Sequence, residues 1–213
     1  MSNATTAGLM PEACSATARV IKGAAGADLA AATPCDGFTL RTLLTHFTGT
    51  TGAFAYAGKT RSLDANDPWG SAVQLNDDEW PEQLTANLDA ISAVWCQQDT
   101  WQGTIQGTVM PARSLGEMAL IEILLHGWDV ARATDQQVDV SDALGAELLR
   151  CVLRRLISAD RLARTGLKSP LPTTLLISPR RLAWRVAVRT DQGTASLSGP
   201  ALAVPRQPTR HAK

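Results

Sequence analysis

The stretch EILLHGWDVARAT, residues 122–134, decides the fold that the sequence predicts. It has the apolar composition of a buried helix, yet it also carries Glu122 and His126, four positions apart. Residues at this spacing lie on one face of a helix, with Cβ atoms about 5–6 Å apart. We therefore expect a carboxylate and an imidazole to converge inside an apolar core, where an unpaired charge is costly. The predicted inward stripe is Leu115, Ala119, Glu122, His126, Val130 and Ala133.

The rest of the pattern predicts a mostly α fold. The helical spacing of apolar residues predicts that the helix containing residues 122–134 begins near Ala112 or Ser114. The same kind of spacing predicts four further helices. Thr39 and Ser141 are expected as N-caps, and Pro81 is expected in a first turn. Glycines and alternating β-formers favour a short hairpin or an irregular loop over residues 100–111, and a hairpin around Gly193 in the tail. The other four helices are predicted over about residues 10–32, 39–57, 81–98 and 141–159.

Charge is divided sharply along the chain. The 213 residues carry no net charge, but residues 1–149 hold 7 Lys+Arg against 18 Asp+Glu, and residues 150–213 hold 13 against 2. We therefore predict a division into a helical domain over residues 1–159 and a divergent basic extension, partly disordered or a hairpin, over residues 160–213. The extension has Trp184 amid arginines, which suggests an alternative role in binding nucleic acid; the acidic body argues against it.

The sequence predicts a cytoplasmic protein. The first ten residues have neither the basic nor the apolar region of a secretion signal, and the longest apolar run, residues 118–125, is too short to span a membrane. The four cysteines form no CxxC pair. In a chain without a signal we expect them to be reduced, small buried hydrophobic residues.

His46 is the third residue that the chemistry points to. It lies on the predicted second helix, facing inward with Leu43, Thr50 and Phe54. Two imidazoles and one carboxylate suit a divalent metal, because three protein ligands leave a fourth position open, as in catalytic zinc sites. The same set also matches iron enzymes with two histidines and one carboxylate. The alternative is a buried, hydrogen-bonded Glu122–His126 pair without metal.

Two longer stretches carry a resemblance to a known family. TPCDGFTLRTLLTHFTGTTGAFA, residues 33–55, and EILLHGWDVARATD, residues 122–135, resemble the actinobacterial mycothiol-dependent maleylpyruvate isomerases of the DinB-like superfamily. The resemblance covers about residues 10–159. It implies a four-helix bundle with unusual connectivity, to which a fifth helix is added here. Asp135 departs from the family pattern, since a glycine often closes the motif there.

The resemblance also implies a function. The family's metal-binding triad maps onto His46, Glu122 and His126, with zinc as the expected divalent metal and mycothiol as the thiol cofactor. We expect a thiol-dependent enzyme that uses a metal and acts on a small electrophile by isomerisation or, as a thiol-S-transferase, by S-transfer. Its partners are then that electrophile and the thiol, with no membrane, and the protein is a monomer or homodimer. Asp129 is either a hydrogen-bond acceptor for the His126 imidazole or a surface carboxylate paired with an arginine. The rival function is a non-catalytic metal-binding bundle or dimerisation module.

Overall fold

Five helices make up most of the structure, a computed structural model that describes residues 3–108, 110–164 and 195–196. A short 3₁₀ helix, Gln98–Trp101, follows the third of them. Two short strands, β1 (Asp139–Val140) and β2 (Ala195–Ser196), pair antiparallel, with Asp139 opposite Ser196. The helices are α1 (Asn3–Gly23), α2 (Leu40–Thr60), α3 (Trp80–Trp95), α4 (Ala112–Ala133) and α5 (Asp142–Arg164).

The first four helices form a bundle in which consecutive helices are not always neighbours. Both α1 and α2 pack against α3 and α4, while α1 and α2 share no extensive contact in the described part of the chain. The first two helices therefore occupy opposite corners. The fifth helix, α5, packs on the outside against α4 and α1. The expected four-helix bundle with unusual connectivity and an added fifth helix is confirmed.

Helix α4 lies at the centre of the packing. Every residue from Met118 to Ala131 is buried, although the sequence predicts one inward stripe. The prediction was too narrow because α1, α2 and α5 surround α4 and cover its other faces as well. Ala133, at the end of the predicted stripe, is only half-buried.

Helix starts follow the expected capping. The Thr39 hydroxyl accepts a hydrogen bond from the Thr42 backbone N–H at 3.3 Å, and the Ser141 hydroxyl accepts one from the Leu144 N–H at 3.2 Å. Pro81 lies in the first turn of α3. The first helix differs from its predicted range, because it begins at Asn3 and ends at Gly23. Gly26 follows with a φ of +82° and turns the chain.

Of the two predicted hairpins, one lies in the described part of the chain. Among the described residues of the 100–111 loop, one isolated antiparallel bridge joins Thr104 to Pro111 and one parallel bridge joins Gln106 to Ser62. This loop is held from outside instead, by the Arg61 guanidinium, which donates to the Thr100 and Gln102 carbonyls. The hairpin predicted around Gly193 lies outside the described residues, as does most of the extension, so the division near residue 160 stays a prediction.

Two further findings bear on function. No helix in the described ranges is long and apolar enough to cross a bilayer. No disulfide joins the four cysteines. Cys14 and Cys151 are buried, and burial raises the pKa of both thiols to about 12. Neither is therefore a nucleophile at neutral pH.

Asp135 lies at the end of α4, where the family pattern favours glycine. Its φ is +54°, in the left-handed region. The next N–H, that of Gln136, donates to the Ala131 carbonyl at 2.7 Å. This is the six-to-one hydrogen bond of a Schellman motif, which places Asp135 at the position that most often holds glycine. Aspartate is one of the few other residues that tolerate this conformation.

We expect Asp135→Gly to stabilise the protein by about 0.5–1 kcal/mol and Asp135→Val to destabilise it by about 1–2 kcal/mol, because only glycine adopts this φ without strain. Urea unfolding followed by circular dichroism measures both. The matched control is Gln137→Gly, two residues further on at an exposed position without a positive φ. A loss of stability in Asp135→Gly equal to that in Gln137→Gly would contradict the interpretation.

Candidate metal centre

His46, Glu122 and His126 meet between α2 and α4. The His126 Nε2 lies 3.0 Å from Glu122 Oε2, and the His46 Nε2 lies 3.7 Å from the same oxygen. One ligand atom from each residue lies within 4.8 Å of the other two. The two imidazole rings meet edge to face, with centroids 5.0 Å apart. The structure thus brings together all three residues named as candidate ligands.

Two buried atoms of this cluster lack hydrogen bonds. Neither His46 Nε2 nor Glu122 Oε2 has a hydrogen-bond partner among the described residues. The 3.0 Å approach of His126 to Glu122 is therefore an ionic contact without hydrogen-bond alignment. Buried polar atoms are almost always paired, so two such atoms a few ångströms apart indicate a missing common partner. A simple buried hydrogen-bonded pair does not account for this arrangement.

Burial and charge oppose each other in the cluster. Glu122 and His126 are only 4% and 2% exposed. Burial by itself would raise the pKa of Glu122, but the His126 charge and contacts with both imidazoles outweigh it and lower that pKa to about 2. Burial by itself would lower the pKa of His126, but Glu122 and Asp129 outweigh it and raise that pKa to about 9. Without a metal, His126 is therefore an imidazolium between two carboxylates at neutral pH.

Asp129 orients His126 from the other side of the ring. Its Oδ2 lies 3.0 Å from His126 Nδ1, and Asp129 is 1% exposed. A carboxylate can only accept here, so the Nδ1–H donates and Nε2 is left facing Glu122. Of the two predicted roles of Asp129, the structure supports the acceptor. The surface pairing is wrong, because packing around α4 buries this side chain, and Arg113 pairs with Glu117 instead.

Aromatic rings and a close contact between α1 and α4 surround the cluster of His46, Glu122 and His126. Phe38 and Phe47 lie with ring centroids 6.0 Å from His46 and 5.6 Å from His126. Behind the ring, a Cβ on Gly127 would lie 2.7 Å from the Thr17 hydroxyl oxygen, so glycine permits the close approach of α1. His46 remains 16% exposed as a side chain. Its Nε2 is nevertheless buried, so the exposed part of the ring is not the atom that faces Glu122.

Comparison with known proteins assigns the family. The model of the mycothiol maleylpyruvate isomerase N-terminal domain matches residues 10–131, which is more than half of the chain. The chain belongs to this family. The matched region runs from α1 to α4 and contains all three clustered residues. No curated protein and no solved structure gives a significant match.

The donor set of this family member suits a divalent metal. Tetrahedral zinc with bonds of about 2.0–2.1 Å separates its ligand atoms by roughly 3.3–3.5 Å. The observed separations from Glu122 Oε2, 3.0 and 3.7 Å, lie on either side of that range. Two imidazole nitrogens and one carboxylate oxygen also leave a fourth position for another ligand. The residues present therefore fit a metal ion.

Sequence reasoning missed other residues around the cluster. The aromatic contacts of Phe38 and Phe47 had no pattern that links them to a site. Arg155, on α5, was not predicted to contact α4. Its Nη2 donates to the Met118 thioether at 3.3 Å, one helical turn before Glu122. The only signal for Arg155 in the sequence was its place in a basic segment, which does not show which arginine points inward.

We expect zinc binding to release at least one proton per site at pH 7.5, because the metal must displace the proton from His126. Affinity should rise up to about tenfold per pH unit between pH 6.5 and 8.5, and level off above about pH 9. Chelator competition at several pH values and calorimetry in two buffers measure these quantities. Equal affinity at pH 6.5 and 8.5, without proton release, would disprove the protonated metal-free site.

We expect Asp129→Asn to weaken zinc binding by about ten- to a hundredfold, because the amide orients His126 less well and does not stabilise it by charge. The same chelator competition measures the change. Glu117→Gln is the matched control, since it also removes one negative charge from α4 but its carboxylate pairs with arginines. Equal losses of affinity in the two variants would show a general charge effect instead of orientation.

Proposed function

We propose that this chain is a divalent-metal-binding, thiol-dependent enzyme of the maleylpyruvate isomerase-like class. It acts on a small electrophile by isomerisation or by S-transfer, with zinc as the metal and mycothiol as the thiol. The observation that carries the proposal is the pair of unpartnered buried atoms, His46 Nε2 and Glu122 Oε2, beside His126. The family match supports the thiol and the reaction class.

His46, Glu122 and His126 would hold the ion. A divalent metal held there would lower the pKa of a thiol bound beside it and so would supply a thiolate nucleophile for an electrophilic carbon. Imidazole and carboxylate ligands suit zinc and also iron, and the three-ligand open pattern favours zinc as the first metal to test.

The protein's own residues supply orientation and a dry environment. Asp129 accepts the Nδ1–H of His126 and so directs Nε2 toward Glu122. Phe38 and Phe47 exclude water around the two rings. The low exposure of Glu122 strengthens every charge interaction in the site, because few waters screen it.

The experiment combines metal analysis with a thiol-dependence assay. We expect one zinc ion per chain and consumption of maleylpyruvate, or of another small electrophile from a panel, only when both zinc and mycothiol are present. His46→Ala should bind zinc at least tenfold more weakly and lose at least a hundredfold in rate, because one of three ligands is gone. Thr45→Ala, the neighbouring position on α2, is the control and should retain both properties.

The possible results separate the candidate functions. Stoichiometric zinc without thiol-dependent turnover of any electrophile would leave the non-catalytic metal-binding bundle. Absence of stoichiometric metal, together with unchanged divalent-ion affinity in His46→Ala, would remove the metal centre itself. Equal turnover with glutathione or cysteine in place of mycothiol would remove the thiol assignment but keep the class.

A further inference from the structure

The two imidazoles of the candidate metal centre are oriented by different means. The Nδ1 of His126 faces the Asp129 carboxylate at 3.0 Å, which fixes the direction of its Nε2. His46 has no such neighbour, because among the described residues the one carboxylate within ion-pair distance of its ring is Glu122, on the ligand side. A metal-binding histidine is usually held by a partner at its second nitrogen. The orientation of His46 therefore depends on what packs against its ring.

Two aromatic rings pack against His46 in the described part of the chain. The centroid of the His126 ring lies 5.0 Å away, and that of the Phe38 ring lies 6.0 Å away at an interplanar angle of 75°. Both distances are in the range of edge-to-face ring contacts. His126 is itself a candidate ligand, so Phe38 is the ring outside the ligand set. A shift of the Phe38 ring would allow the His46 imidazole to turn away from Glu122.

Phe38 ends a tight turn, residues 33–38, that the Thr33 side chain closes. The Thr33 hydroxyl donates to the Phe38 carbonyl at 2.9 Å and accepts a hydrogen bond from the Cys35 N–H at 3.2 Å. The backbone adds a hydrogen bond from the Phe38 N–H to the Cys35 carbonyl at 3.0 Å. Gly37, with a φ of +77°, allows the chain to turn. One hydroxyl thus joins both ends of the turn.

We propose that Thr33 is a positioning residue of the candidate metal centre. Its hydroxyl holds the turn, the turn holds the Phe38 ring, and the ring keeps the His46 imidazole directed toward Glu122. Threonine suits this role because one hydroxyl both donates and accepts a hydrogen bond. The inference rests on the proposed function and adds to it a residue that lies outside the ligand set and acts through another side chain.

The first test removes the hydroxyl and keeps the shape of the side chain. We expect Thr33→Val to weaken zinc binding by about three- to tenfold, less than the loss of a partner that contacts a ligand directly. Thr33→Ser, which keeps the hydroxyl, should bind zinc like the wild type. Chelator competition measures each affinity.

Thr60→Val is the matched control. The Thr60 hydroxyl donates to the Tyr56 carbonyl at 2.9 Å and accepts a hydrogen bond from the Ser62 N–H at 3.3 Å, the same pattern as at Thr33. It does so at the end of α2, fourteen residues beyond His46. This variant should keep the wild-type affinity. Equal losses in Thr33→Val and Thr60→Val would show a general effect of a lost hydroxyl and would overturn the inference.

A double-mutant cycle separates positioning through Phe38 from a general loss of stability. Phe38→Leu should weaken zinc binding to a similar extent as Thr33→Val. Combining the two changes should cause no further loss, because both act through the same ring. Additive losses, or an unchanged affinity in Thr33→Val, would contradict the proposed role of Thr33.

The metal-free protein gives an independent measurement. In NMR of the aromatic side chains, the ring protons of Phe38 and His46 should show a nuclear Overhauser effect in the wild type and in Thr33→Ser, and a weaker one in Thr33→Val. An equally strong effect in Thr33→Val would disprove the link between the turn and the ring. If the wild type takes up no zinc, the proposed function fails, and this measurement still decides whether Thr33 holds Phe38 against His46.

Discussion

The structure depends on the burial of one carboxylate in the middle of helix α4. Glu122 is almost fully removed from water, and a buried charge is tolerated only when opposite charge or hydrogen bonds compensate for it. Compensation comes first from His126 on the next turn, which Asp129 orients in turn. It comes next from His46 on α2, whose facing nitrogen is itself unpartnered. A divalent ion would satisfy all these groups at once, and the three side chains that are costly to bury without it would then be its ligands.

The bundle arrangement makes this cluster possible. Because α1 and α2 occupy opposite corners, α4 has one of them on each side, and α5 closes a further face. On the α1 side, Gly127 allows Thr17 to approach, and the Thr17 hydroxyl donates to the Ile123 carbonyl at 3.2 Å. On the α2 side, the larger rings of Phe47 and His46 fill the space. The backbone of α4 next to His126 is therefore fixed by packing, which limits the movement of its imidazole.

The sequence predicted most of the centre because its information there is local. Glu122 and His126 are four residues apart, and helical periodicity alone places them together. His46 was predicted as the third residue of the site because it lies on the inward face of the second helix and within the family motif. Other features depend on contacts distant in sequence: the burial of α4 on all sides, and the approach of Arg155 to Met118, follow from how α5 packs. The spacing of residues along one helix does not predict how another helix packs against it. The left-handed backbone at Asp135 was predicted only in part. The sequence showed that Asp135 stands where the family pattern favours glycine, but it did not show the positive φ.

The match to the family ends at residue 131, before α5 begins. The three clustered side chains lie inside the matched region. Helix α5 lies beyond it and packs on the outside of α4 and α1. Substitutions along α5 therefore alter the outer cover of α4 without replacing any of the three clustered side chains.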